Sequence, residues 1–254
     1  MNKNDKIYTK KYIHKKTYID NMKRVMKFFR MFFIVFVAVT LFFTLLYKFV
    51  NPPLTPLMAQ RFVEQIFDEE KEVRFKRDYV PIEDISPNLI NAVVASEDGK
   101  FMQHSGFDFE ELERSYKSNK ANKGKKIRGG STISMQTAKN AFLFPHRTYV
   151  RKAFEAYFTK LIELMWGKKR IMEVYLNIIE FGDGIYGCEA AAQHYFNKSA
   201  KELTKTEAAQ LAVSLPNPRK FNPDNRTQYF NKRVRTIKAR MYKVDLSKKT
   251  KPKK

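Results

Sequence analysis

Seventeen consecutive uncharged residues, MFFIVFVAVTLFFTLLY at 31–47, interrupt a chain whose other apolar positions recur mostly at helical spacing. At about 1.5 Å per residue the run rises roughly 25 Å, and the flanking Phe28, Phe29, Phe49 and Val50 extend it to the roughly 30 Å of a bilayer core. The pattern predicts a single transmembrane helix over 31–50. A cleaved signal peptide fits poorly, because the charged stretch before the run is too long and KFVNPPLTP after it offers no small-residue cleavage site. A helix buried in a soluble core would normally show a polar face, which this run lacks.

Pro52, Pro53 and Pro56 make a stiff exit from the membrane, and from there to about residue 243 the pattern is mainly helical, without an internal repeat. SPNLINAVVASED opens on Ser-Pro and continues as an apolar run, DFEELERSYKSN begins with an acid, and STISMQTAKNAFL follows Gly129 and Gly130. TYVRKAFEAYFTKLIELMW is stopped by Gly167, and KKRIMEVYLNIIEF by Gly182. In TKTEAAQLAVSL, Thr204 and Glu207 have the spacing of a capping box. TQYFNKRVRTIKARMY forms the last helix before a basic tail, KKTKPKK, and the strand signal is short, EVRFKRDYV at 72–80. The expected organisation is a basic tail (1–30), the span (31–50), an α-rich domain (51–243) and a second basic tail (244–254).

Charge sets the orientation. Residues 1–30 carry ten Lys or Arg against Asp5 and Asp20, and basic flanks stay in the cytoplasm, so the domain is expected outside. The whole chain has 49 basic and 26 acidic residues, a net +23, which points to an anionic partner: nucleic acid, a membrane surface or a phosphorylated substrate. Outward topology and the lack of a recognised module argue against nucleic acid. A single cysteine, Cys188, excludes an internal disulfide and a cysteine-based zinc site, and four scattered histidines add no ligand spacing. With 43% hydrophobic residues among 254, the material for a core is ample.

Three stretches carry candidate chemistry. ASEDGKFMQHSGFD sets Glu97 at a helix end, where an acid is badly placed against the helix dipole. In KKIRGGSTISMQTAKN, a helix from residue 132 puts Thr132, Gln136, Lys139 and Asn140 on one stripe and Met135, Ala138, Ala141 and Phe142 on the other side. A polar stripe with one cation, next to a helix N-terminus freed by two glycines, suits phosphate or sugar hydroxyls. In HRTYVRKAFEAYFTKLIE, Arg151 and Lys152 lie four and three residues before Glu155, with Arg147 just upstream, so two bases flank one acid and could hold a diphosphate. Each stretch alone also reads as ordinary surface: a charged helix end, an amphipathic helix, an ion-pair cluster worth a few tenths of a kcal/mol.

Together and in order, EDGKFMQHSGFD, GGSTISMQTAKN, RKAFEAYFTKLIE, KKRIMEVYLNIIEFGDGIYGCEAAAQHYF and LTKTEAAQLAVSLPNP resemble the glycosyltransferase family 51 peptidoglycan polymerases over roughly residues 85–223. No Ser-x-x-Lys transpeptidase motif has room after residue 223, so the resemblance is to the monofunctional members. It implies a mainly α, lysozyme-like bilobal domain, with head and jaw lobes, on a single N-terminal transmembrane helix of the cytoplasmic membrane. It implies that Glu97 is the general base toward the 4-hydroxyl of the acceptor lipid II, and that Glu155 helps hold the donor diphosphate. Ser131, Gln136, Lys139, Asn140, Arg147, Arg151 and Lys152 match substrate-binding positions. The expected product is a β-1,4 glycan strand, formed with inversion and release of undecaprenyl diphosphate. The resemblance requires no cofactor and leaves room for a divalent cation, Mg or Mn, at the diphosphate. Expected partners are lipid II, the growing glycan, membrane lipids and proteins of a cell-wall synthesis complex. Asp98, Phe101, His104 and Gly106 read as a supporting shell, and Asp108 as the cap of the next helix. Met135 stands where the family usually has a glutamine, on the apolar side of its helix, and Cys188 takes a commonly apolar position. A lytic glycan-cleaving enzyme of the same fold, and an inactive membrane-anchored scaffold, are the rival readings.

Overall fold

The computed structural model describes residues 3–68, 73–122, 129–146, 148–244 and 246, with side chains from residue 18 onward. The chain divides into two compact units, Met1–Leu46 and Tyr47–Lys254. The tail KKTKPKK lies outside the described residues.

Helix α1 runs without a break from Lys3 to Phe49, so the expected span is the last part of a helix about 70 Å long. Its section Tyr18–Phe49 is long and apolar enough to cross a membrane, and Phe32, Phe33, Val35 and Phe42 are exposed, as lipid-facing side chains are and core side chains are not. The threonines of this section find acceptors within the helix: Thr40 Oγ1 donates to the Phe36 carbonyl at 3.0 Å, and Thr44 Oγ1 to that of Thr40 at 2.7 Å. Neither threonine hydroxyl needs water.

Within the second unit, Arg170 Nη2 donates to the carbonyls of Tyr47 and Val50, at 2.9 and 3.0 Å, and the Arg77 guanidinium donates to those of Pro52 and Pro53. These carbonyls lie at a helix C-terminus and a proline-rich exit, where backbone partners are lacking. The Tyr47 ring stacks on Phe142, which stacks on Phe158 with centroids 4.5 Å apart.

The domain is mainly α, as its pattern predicts. Helices α2 (Pro56–Ile66), α3 (Pro87–Glu97), α4 (Phe109–Ala121), α5 (Ile133–Phe142), α6 (Tyr149–Met165), α7 (Lys168–Ile178), α8 (Cys188–Phe196), α9 (Lys205–Ser214) and α10 (Gln228–Met241) follow in order. Their starts obey local chemistry. Thr55, Ser86, Asp108, Thr132, Thr148, Thr204 and Thr227 each accept a backbone N–H of the first turn, and Thr204 with Glu207 closes the expected capping box. Helices α3, α9 and α10 pack on one another, while α5 packs on α6 and α7. The buried aromatics Phe101, Tyr175, Phe181, Tyr186 and Phe230 fill the core, and Cys188 is buried there as a small apolar side chain.

One stretch departs from the helical expectation. KKRIMEVYLNIIEF is helical only to Ile178; Glu180–Gly182 is strand β2, paired antiparallel with β3 (Ile185–Tyr186), which pairs in parallel with β1 (Lys76–Arg77). Asp183-Gly184 makes the turn. Gly184 has φ +69°, and a Cβ there would meet the Arg74 carbonyl oxygen at 2.0 Å, so turn and neighbour both demand glycine. The apolar run Ile178-Ile179 hides the change, because a buried strand and a buried helix end look alike without a period. The nine-residue strand signal at 72–80 yields only the two residues of β1.

Candidate active site

Glu97 closes α3, whose apolar face buries Leu89, Ala92, Val93 and Val94. Directly after it the backbone leaves the helix, and Asp98 turns inward. Its carboxylate faces His104 Nε2 at 3.0 Å and accepts the backbone N–H of Ile133 at 3.0 Å. That N–H belongs to the first turn of α5, where a negative charge is favoured by the helix dipole. Asp98 thereby fastens the end of α3 to the start of α5, two elements from different packing groups. The same junction is held by Thr132, which caps α5 and donates to the Gly106 carbonyl at 2.6 Å. Gly106 has φ +97°, and a Cβ would come within 2.9 Å of Thr159 Cγ2.

With the two helix ends locked, Gln136 of α5 reaches Glu97. Its Nε2 donates to Glu97 Oε2 at 3.0 Å, and its Oε1 accepts the hydroxyl of the fully buried Tyr175 at 3.1 Å. That second bond fixes the amide orientation. Ser96 Oγ donates to the other Glu97 oxygen at 3.1 Å. Burial pushes the Glu97 carboxyl above its ordinary value, while the Gln136 and Ser96 hydrogen bonds and the Arg233 charge restrain the shift. The group is a carboxylate with raised proton affinity, and it lines a cleft of about 530 Å³ together with the Gly129–Thr132 loop, the start of α4 and α10.

A second cluster forms on α6. Glu155 is almost fully buried, at 2% exposure. Arg151 Nη1 donates to its Oε2 at 2.5 Å, and Lys152 Nζ donates to its Oε1 and also lies 3.4 Å from Ser131 Oγ. Lys139 on α5 is close enough to feel Glu155, Arg151, Lys152 and Glu97. Burial is the chief cause that lowers its pKa, the two neighbouring cations add to it, and the two carboxylates oppose it. Asn140 is buried as well, and its Nδ2 is a donor with no partner among the described residues. A buried amide donor next to Lys139 on the same helix can serve an oxygen-rich anion.

The structure therefore brings Glu97 and Gln136 into contact, gathers Ser131, Arg151, Lys152 and Glu155, and sets Lys139 within electrostatic reach of both groups. Arg147 lies outside the described residues. Asp98, His104 and Gly106 form the supporting contacts, and Asp108 caps α4 by accepting the Glu111 N–H at 3.0 Å. Ser96, Tyr175 and Arg233 were not legible as site residues. Arg233 approaches from α10, far along the chain, and no local pattern signals that. Both Glu155 oxygens already face cations, so this carboxylate does not fit a resident divalent ion. Among the described residues no group of three or more His, Cys, Asp or Glu could hold one.

Sequence comparison gives a consistent result. Residues 63–242 match the family model described as Transglycosylase. Proteins named biosynthetic peptidoglycan transglycosylase are similar along most of their length. That of Bdellovibrio bacteriovorus is 51% identical over 208 residues, covering 82% of each chain. That of Caulobacter vibrioides is 52% identical over 81% of this chain and 86% of its own, and that of Bacteroides thetaiotaomicron 47% over 85% and 86%.

Proposed function

Because this chain belongs to the transglycosylase family and is a peptidoglycan glycosyltransferase, we propose that it polymerises lipid II, with Glu97 as base and the cations around Glu155 as the leaving-group site. The observation that carries this reading is the separation of labour between two neighbouring clusters. One holds a carboxylate of raised proton affinity at a cleft; the other gathers Lys139, Arg151 and Lys152 about one buried acid.

The acceptor's 4-hydroxyl loses its proton to Glu97 as its oxygen attacks the anomeric carbon of the donor. The bond from that carbon to the diphosphate oxygen breaks, and the electron pair leaves with undecaprenyl diphosphate. Negative charge grows on the leaving group, and cations already aimed at it lower the barrier without reorganising. Displacement in one step inverts the centre and makes a β-1,4 linkage, with no glycosyl-enzyme intermediate. A retaining enzyme would need a nucleophilic carboxylate close to its acid, and Glu155, saturated by Arg151 and Lys152, is not available for that. No step of this reading runs through a metal ion.

The membrane helix fits the substrate. A polyprenyl-linked sugar stays in the bilayer, so an anchored enzyme shares a thin layer with it at raised effective concentration. The basic N-terminal flank favours an orientation with that end in the cytoplasm and the domain outside the inner membrane, where the growing glycan, membrane lipids and cell-wall synthesis proteins would be its partners. Incubating the purified full chain with lipid II tests the reading. Glycan polymer is the expected product; release of muropeptides from sacculi without any polymer would establish the lytic alternative.

A further inference from the structure

The cleft beside Glu97 also reaches a face of α10, which contributes Arg233 and Arg240. Seven residues apart on a helix, the two arginines share one face and stand about 10 Å from each other along the axis. Arg233 is near enough to Glu97 to oppose its protonation; Arg240 is two turns further on and exposed. The other cations of this wall are engaged, Lys100 with Glu110 and Arg114 with Glu111. Arg233 and Arg240 have no ion-pair partner among the described residues, although Asp108 and Glu111 line the same cleft. Such a wall carries unpaired cations and acids together. Charges of both signs on one wall suit a ligand that also carries both, such as a peptide bearing carboxylates and an amine.

We propose that Arg240 is a specificity-determining residue that binds a carboxylate on the peptide carried by the acceptor sugar, about two helical turns from the reacting hydroxyl. This rests on the reading of the Glu97 cleft as the acceptor site. Because Arg240 stands off from the reacting atoms, its contact is made equally in the ground state and the transition state, so it acts on KM and not on kcat.

The test uses the full chain in detergent micelles and a labelled donor whose own 4-hydroxyl is methylated, so that it can only donate. The acceptor is varied: lipid-linked disaccharide with the complete peptide, or with the lactyl group capped as a simple amide. The wild type should show a KM about fivefold to tenfold lower for the peptide-bearing acceptor, the range of one exposed charge-assisted hydrogen bond. In Arg240→Gln the two KM values should converge with kcat kept, and Arg240→Lys should restore most of the difference. Arg235→Gln, on an exposed position outside the cleft, should behave as wild type. The proposal is overturned if Arg240→Gln keeps the wild-type KM ratio, whether neither value moves or both rise together. A joint rise would assign Arg240 to a group common to both acceptors, the diphosphate included, or to the fold. A wild type that makes no product from either acceptor would instead remove the polymerase reading itself.

Discussion

Gln136 Nε2 lies 3.0 Å from Glu97 Oε2, while Gln136 Oε1 is committed to the Tyr175 hydroxyl. The amide is therefore held donor-first toward the carboxylate, and it stabilises the ionised form against a burial that favours the neutral one. Gln136→Leu removes that restraint, so the Glu97 pKa rises further. A base works only when ionised, and activity falls as pH drops through its pKa; the acid limb of kcat/KM should accordingly move to higher pH in the variant. Polymerisation rates measured across pH would show it, and an unmoved limb would separate Gln136 from the base.

Lys139 is predicted to govern the opposite limb. Its pKa is lowered, first by burial and then by Arg151 and Lys152, so it loses its proton at a lower pH than an ordinary lysine. A cation that stabilises the leaving group is lost as pH rises through that value, and the alkaline limb should sit below the usual lysine range. Lys139→Arg should move the limb upward, since a guanidinium stays charged. Lys139→Met should lower kcat by about 10²–10³ below the Lys139 pKa and approach wild type above it, read from the same rate profiles.

Asp98 is predicted to be a positioning residue with two readouts. Asp98→Ala removes a buried acceptor from His104 and from the Ile133 N–H, and should cost about 2–4 kcal/mol of stability. Asp98→Asn keeps the shape and an acceptor, and should recover most of the thermal stability while kcat recovers in parallel. Thermal unfolding and turnover of both variants decide this; full activity in a destabilised Asp98→Ala would dissociate the junction from the base.

Glu180 offers a test that leaves the reaction aside. Burial drives its carboxyl up to about 7, against the attraction of Arg61 and Arg219. An acid whose folded-state pKa is raised holds its proton more tightly when folded, so its cost to stability is absent at low pH and grows as pH rises toward 7. Glu180→Gln should therefore be more stable than wild type at pH 8, by about 1–3 kcal/mol, and show no such gain near pH 4. Melting temperatures at the two pH values measure the difference.

Much of this molecule was readable before its structure, for reasons that differ by element. The capped helices were legible because Ser86, Asp108, Thr132, Thr148 and Thr204 act on the N–H groups a few residues away. Hairpin β2–β3 was missed because Ile178 and Ile179 carry the apolar run past the end of α7. Glu97 and Glu155 stood out as acids in unusual company, yet neither stretch alone distinguished a site from a surface; the order of several motifs did. The contacts that build the site are long-range. Glu97 meets Gln136 39 residues on, Asp98 meets the Ile133 N–H 35 residues on, and α10 enters from much further. No period or cap encodes those meetings, which come from the packing of α3 with α10 and the locking of α3 to α5.

The central claim is that Glu97 takes the proton of the attacking hydroxyl. Glu97→Gln preserves size and hydrogen bonding and removes only the basicity, so the melting temperature should stay near that of wild type while the rate of lipid II polymerisation falls about 10²–10⁴-fold. Polymerisation at the wild-type rate by a folded Glu97→Gln enzyme would contradict the account.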